Sequence, residues 1–130
     1  MTLAELCLPG AVLLIILSIA PAKIAGRRDF DNANPRDPAF YRDAFRARAQ
    51  GAHINGYESF PFFAAAVLLA EMKGAPQTTV DLLAVGFLLA RIAYVGCYLG
   101  NLPTPRSVVW LLGLALNLAL FLSPWWAGHG

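Results

Sequence analysis

Four long apolar runs divide the chain, at about residues 6–22, 51–70, 80–100 and 108–127, with polar segments between them. Each reaches or approaches the roughly 20 residues that carry an α-helix across about 30 Å of hydrocarbon. Inside lipid a helix satisfies every backbone N–H and C=O within its own segment. The pattern therefore predicts an all-α membrane protein, one four-transmembrane-helix bundle over residues 1–130. The last run closes on Trp125 and Trp126, whose rings suit the membrane–water interface. Glu5 rather than a basic stretch precedes the first apolar run, so that run reads as a retained span and not a cleaved signal.

Composition supports the bilayer as solvent. Of 130 residues 58% are hydrophobic and 14% charged, and mean hydropathy is +0.55. A soluble domain of this size has too little interior to hide that much apolar surface. The net charge of +2 is too small to point to nucleic acid. Cys7 and Cys97 sit in apolar runs at no metal-ligand spacing, so both read as packing residues and no metal site is expected.

The charges between the runs give an orientation. Lys23, Arg27, Arg28, Arg36, Arg42, Arg46 and Arg48 lie between the first and second runs, and Arg106 between the third and fourth. The second connection carries Lys73 beside Glu71 and Asp81. The positive-inside rule puts the first and third connections in the cytoplasm and both termini on the other side. The first connection, with its mixed charge and prolines, is expected to be irregular, a helix restarting near Pro38.

Two ionisable groups then stand out inside the runs, Glu58 and Arg91. Each costs about 2.5–3.5 kcal/mol near a bilayer centre, so such groups face a bundle interior or a wet cavity. At about 100° per residue, Arg48, Asn55 and Glu58 share one helical face, while His53 falls off it. Arg91, Tyr94 and Tyr98 share a face on the third run. The plain reading is a buried Glu58–Arg91 ion pair that fixes helix register. Asn55, Tyr94 and Tyr98 are donors and acceptors beyond that pair's needs, and they point to a polar ligand in the cytoplasmic half. Pro105, Arg106 and Ser107 read as a helix start, where free N–H groups and a guanidinium favour an anion; the plainer alternative makes Arg106 a membrane-boundary anchor. Gly96 and Gly100 form a small-xxx-small pair that would allow close helix approach, and Asn117 a hydrogen bond across an interface.

In order, Arg48, Ala52, Asn55, Glu58 and Pro61, then Ala90, Arg91, Tyr94 and Tyr98, then Arg106 and Ser107, resemble the MAPEG family of small membrane proteins of eicosanoid and glutathione metabolism. The resemblance covers nearly the whole chain and implies a homotrimer that binds glutathione between adjacent subunits near the cytoplasmic side. It assigns Arg48, Asn55 and Glu58 to glutathione's charged and amide groups, and Arg91 to Glu58 or the ligand. Tyr94 and Tyr98 would line the pocket. Lys23, or failing that Arg27, would meet a glutathione carboxylate. Arg106 would stabilise the thiolate and Ser107 would donate a hydrogen bond to it. The chain departs from several eukaryotic members at Ala47, Gly51 and Ile54, and its compact loops are more similar to the bacterial branch, which implies an inner-membrane protein with its site toward the cytoplasm. The implied activity is a glutathione-dependent transferase or peroxidase acting on hydrophobic electrophiles or hydroperoxides. The alternative is a non-catalytic protein of the same fold that holds a lipid or amphiphile.

Overall fold

The computed structural model describes residues 1–128. Four long helices form in chain order: α1 (Leu3–Ala25), α2 (Ala44–Met72), α3 (Gln77–Leu99) and α4 (Pro103–Phe121). A short α5 (Ser123–Trp126) follows, and a single 3-10 turn (Phe40–Arg42) interrupts the first connection. Among the described residues there is no strand.

Two boundaries differ from the hydropathy pattern. Helix α2 starts at Ala44, ahead of the apolar run and a few residues beyond the restart expected near Pro38, because Asp43 caps it by accepting the Arg46 amide at 3.1 Å. The polar segment ahead of the apolar run is thereby helical as well. The fourth run is split near Leu122. Pro124 has no N–H to offer the Leu120 carbonyl, and the Ser123 hydroxyl donates to that carbonyl instead at 2.7 Å.

By length and composition α1, α3 and α4 can each cross a membrane. Helix α2 is the longest at 29 residues. It falls outside that group because Arg46, Arg48, His53, Asn55 and Glu58 interrupt its apolar surface. Large apolar side chains such as Leu13, Leu17, Leu82, Leu89 and Leu111 are exposed along the three apolar helices, as lipid-facing residues would be. The chain is an integral membrane protein.

Small residues let the helices approach closely. On α1 the buried positions are Ala4, Cys7, Ala11, Ile15, Ser18 and Ala22, a three–four spacing that makes one stripe. On α2 they include Ala49, Ala52, Gly56, Phe63, Ala66 and Ala70. A Cβ at Gly56 would come 2.7 Å from Ile15 Cγ1, so only glycine permits the α1–α2 crossing. Phe63 and Phe87 stack at 4.3 Å between α2 and α3. A Cβ at Gly96 would meet nothing within 4 Å, so the expected Gly96–Gly100 approach does not occur within the chain.

The two ends of the bundle carry opposite charge. At one end Thr2 and Glu5 form a capping box on α1, the Thr2 hydroxyl donates to Glu71 at 2.7 Å, and the Ala4 amide donates to Asp81 at 2.9 Å. Gln77 bridges Glu71 and Asp81. At the other end lie the basic first connection and the α3–α4 turn. There Asn101 takes φ 55°, with Leu102 N–H on the Cys97 carbonyl and Asn101 N–H on the Tyr98 carbonyl. This left-handed helix stop reverses the chain within a few residues and sets the start of α4 beside Tyr98.

Candidate functional site

Arg91 is the most deeply placed cation, 6% exposed on α3. Its Nη1 donates to Asn55 Oδ1 at 2.7 Å, and its guanidinium lies 4.3 Å from the Tyr94 ring centre. The expected Glu58–Arg91 ion pair does not form within the chain. Asn55 stands between them: one helical turn before Glu58, it meets α3, while the Glu58 side chain stays exposed. The register staple is therefore Arg91 with a neutral amide. A small cavity of about 20 Å³ beside Arg91 has room for one water molecule.

Tyr94 is buried and meets half-buried Tyr98 edge-on, ring centres 5.6 Å apart. The Arg106 guanidinium lies 4.6 Å from the Tyr98 ring centre, a cation–π contact that fixes its position. Tyr98 can occupy this place because α2 has glycine opposite: a Cβ on Gly51 would overlap the Tyr98 hydroxyl. Tyr94, Tyr98, Arg106, Ser107 and Trp110 line an open groove of about 440 Å³ at the start of α4.

The start of α4 supplies less to an anion than expected. The helix begins at Pro103, two residues before Pro105, and these two prolines remove two first-turn N–H groups. The Arg106 amide already donates to the Leu102 carbonyl at 3.0 Å. The Ser107 hydroxyl, read as a donor to a ligand, here donates to the Pro103 carbonyl at 3.1 Å. Positive potential at this groove is therefore carried by the Arg106 side chain rather than by the backbone.

A second groove, of about 770 Å³, lies between α1 and α2 under the first connection. Lys23, Arg36, Gln50, Tyr57 and Glu58 line it. Lys23 also sits 5.1 Å from the Phe30 ring centre, whereas Arg27 turns back to the Ile24 carbonyl and is exposed. His53, off the Asn55 face, joins α1 to α2: its Nδ1 lies 2.6 Å from the Ile15 carbonyl. Arg48 lies over the Phe45 ring at 5.8 Å, with its Nε buried and without a partner among the described residues. A third, mainly apolar groove of about 520 Å³ runs between α2 and α4, past Asn55, Glu58, Phe62, Trp110 and Leu118. Asn117 faces it, 8% exposed, with no partner for its Oδ1 among the described residues.

The residues expected to form one site are thus divided. Lys23 lines the α1–α2 groove, Tyr94, Tyr98, Arg106 and Ser107 the α4 groove, and Asn55 and Arg91 the α2–α4 groove, with Glu58 on both the α1–α2 and the α2–α4 grooves and Arg48 on none of them. The α1–α2 and α4 grooves are the two that separate Lys23 from Arg106. These grooves share no lining residue. Arg36 and Trp110 are lining residues that sequence reading did not select. Trp110 could have been found, since it stands one turn after Arg106 on the same helical face. Nothing in the sequence marks Arg36 out from the other basic residues of its loop.

A family model described as the MAPEG family matches residues 3–126. No curated protein and no solved structure matches the chain.

Proposed function

The chain belongs to the MAPEG family, and from that premise we propose that it is a four-span, glutathione-dependent transferase or peroxidase, assembled as a homotrimer in a bacterial inner membrane. The observation that carries this reading is the division of the charged residues between two grooves with no residue in common. The α1–α2 groove holds Lys23, Arg36 and Glu58, which suit glutathione's carboxylates and ammonium, while Arg106, which suits its sulfur, lies in the α4 groove. Packing the α1–α2 groove of one protomer against the α4 groove of the next would complete one site per subunit boundary, on the side that carries the basic connections.

The residues fit glutathione by their chemistry. Exposed Glu58 offers an acceptor to its ammonium and Lys23 a cation to a carboxylate. When bound, glutathione supplies the thiol, whose ionised form is the nucleophile and whose ordinary pKa of about 8.5 leaves it mostly protonated at neutral pH. Arg106, held over Tyr98, places a fixed positive charge where negative charge on sulfur must be stabilised. Each pKa unit lowered in this way corresponds to about 1.36 kcal/mol. Ser107 would have to turn from the Pro103 carbonyl to donate there. Trp110 lines both the Arg106 groove and the apolar α2–α4 groove, so an apolar electrophile or hydroperoxide entering from lipid would arrive beside the guanidinium.

The same apolar groove, with the unpartnered Asn117 in its wall, favours a second reading in which the protein holds an amphiphile without chemistry. Subunit complementation separates the shared site from one built within a single chain. Glu58→Gln and Arg106→Ala chains are each expected to lose glutathione binding alone. Co-assembled in equal amounts, they would restore about a quarter of the sites, because in a cyclic trimer each mixed assembly has one boundary with both native residues. No recovery on co-assembly, with mixed oligomers verified, would sink the intersubunit site.

A further inference from the structure

The first connection is irregular, as expected, apart from the 3-10 turn at Phe40–Arg42, but an aromatic cluster packs it and it forms part of the α1–α2 groove. Phe30 packs edge-on against Phe40 at 5.3 Å, and Phe40 against Tyr41 at 4.9 Å. Arg46 lies over the Phe40 ring at 4.6 Å and bonds Asp29 at 2.9 Å. This cluster buries Tyr41, whose hydroxyl donates to the Pro35 carbonyl at 3.2 Å. Arg36 follows directly and lines the groove beside Lys23. Among the described residues no carboxylate pairs with Arg36, and its neighbour Asp37 accepts the Ala39 amide at 3.0 Å.

We propose that Arg36, held over the groove by the Tyr41–Pro35 hydrogen bond, is a further binding residue that takes the glycyl carboxylate of glutathione together with Lys23. The inference rests on the glutathione reading above and adds a loop-borne cation to it, with Tyr41 as its positioning residue.

Charge and length both lead there. The groove presents two cations, Lys23 and Arg36, and one carboxylate, Glu58. Glutathione carries an ammonium near one end, to match Glu58, and the glycyl carboxylate at the other, to match the two cations. Its ammonium and γ-glutamyl carboxylate share a carbon, while the glycyl carboxylate lies about 10 Å away across three residues. In the antiparallel α1–α2 pair, Ile15 meets Gly56 and Ala22 clusters with Ala49, which sets Lys23 near the level of Arg48. Arg48 and Glu58 are ten residues apart, about 15 Å along a helix, a span that the long Lys23 and Glu58 side chains shorten to the reach of glutathione. An ammonium at Glu58 therefore brings the distant carboxylate, the glycyl one, to the end where Lys23 and the loop converge. Burial raises the Tyr41 phenol above its ordinary value, so its hydroxyl stays a donor to Pro35 throughout the neutral range.

The test is calorimetric binding of glutathione and of its glycyl ethyl ester to the full-length protein in nanodiscs, comparing Arg36→Gln, Tyr41→Phe and the double variant. Arg36→Gln is expected to weaken glutathione about fivefold, the scale of one partly exposed ion pair, and to leave ester binding unchanged. Tyr41→Phe should weaken glutathione in the same direction and add nothing on the Arg36→Gln background. Arg36 is exposed, so melting temperature should not move. Unchanged glutathione affinity in Arg36→Gln, or equal loss for glutathione and ester, would overturn the assignment while leaving the glutathione reading intact. Absence of saturable glutathione binding to the native protein would overturn both.

Discussion

Replacing Asn55 with leucine removes the acceptor from a guanidinium that is 6% exposed. In a soluble core, stripping one partner from a buried charge costs about 3–5 kcal/mol. Hydrogen bonds between membrane helices measure less, about 0.6–1.7 kcal/mol, because polar groups find other partners there. Arg91 lies between these limits. It keeps its contact with the Tyr94 ring, and the adjoining cavity of about 20 Å³ can admit one water to a vacated N–H. We therefore expect Asn55→Leu to destabilise the fold by about 1.5–2 kcal/mol, the lower part of the range of about 1.5–3 kcal/mol for a hydrogen bond to a charged group. Asn55→Asp should recover most of the loss by supplying a charged acceptor. The assay is reversible unfolding in mixed micelles, read as a double-variant cycle with Arg91→Met. With the cation gone, Asn55→Leu should be close to neutral, since both partners are then apolar. A loss below about 0.5 kcal/mol in the native background, or an equal loss with Met at 91, would refute the Arg91–Asn55 staple.

Other expectations follow from neighbouring contacts. Glu58→Gln should change stability by less than about 0.5 kcal/mol, because Glu58 is exposed and outside the staple, yet abolish glutathione-dependent thermal stabilisation; a large stability loss would restore Glu58 to a structural role. Gly51→Ala places a methyl group against the Tyr98 hydroxyl and its ring carbon Cζ and should cost about 1–3 kcal/mol, the range for overpacking, with only partial recovery in Gly51→Ala/Tyr98→Phe because Cζ stays 2.6 Å from the new Cβ. Thr2→Ala removes the α1 capping box and the bond to Glu71 and should lower stability by about 1 kcal/mol in a denaturant titration.

The helices were legible because a bilayer demands long uninterrupted apolar segments, and that demand is written in composition. Their ends were less so, since capping by Asp43 and the break at Pro124 depend on single hydrogen bonds. Helical spacing placed Asn55 on the polar face but could not choose between Asn55 and Glu58 as the Arg91 partner. That choice is set by the rotation of α2 against α3, which periodicity does not determine. The Gly96–Gly100 spacing named a pair that no other helix approaches, while Gly51 and Gly56 make the close contacts. Small residues permit approach on any face, so the neighbouring helix decides which are used. The contribution of Arg36 depends on how an aromatic cluster folds the first connection, a tertiary effect with no sequence period.

Ionisation of a bound thiol by Arg106 is the central claim. Near-ultraviolet difference absorbance of the purified protein, titrated with glutathione at neutral pH, tests it most directly. The expected result is a saturable thiolate band that is lost in Arg106→Ala and that persists in the native protein well below the free thiol's pKa of about 8.5. A band that only tracks the ionisation of free glutathione, or no band and no thermal stabilisation by glutathione, would contradict it.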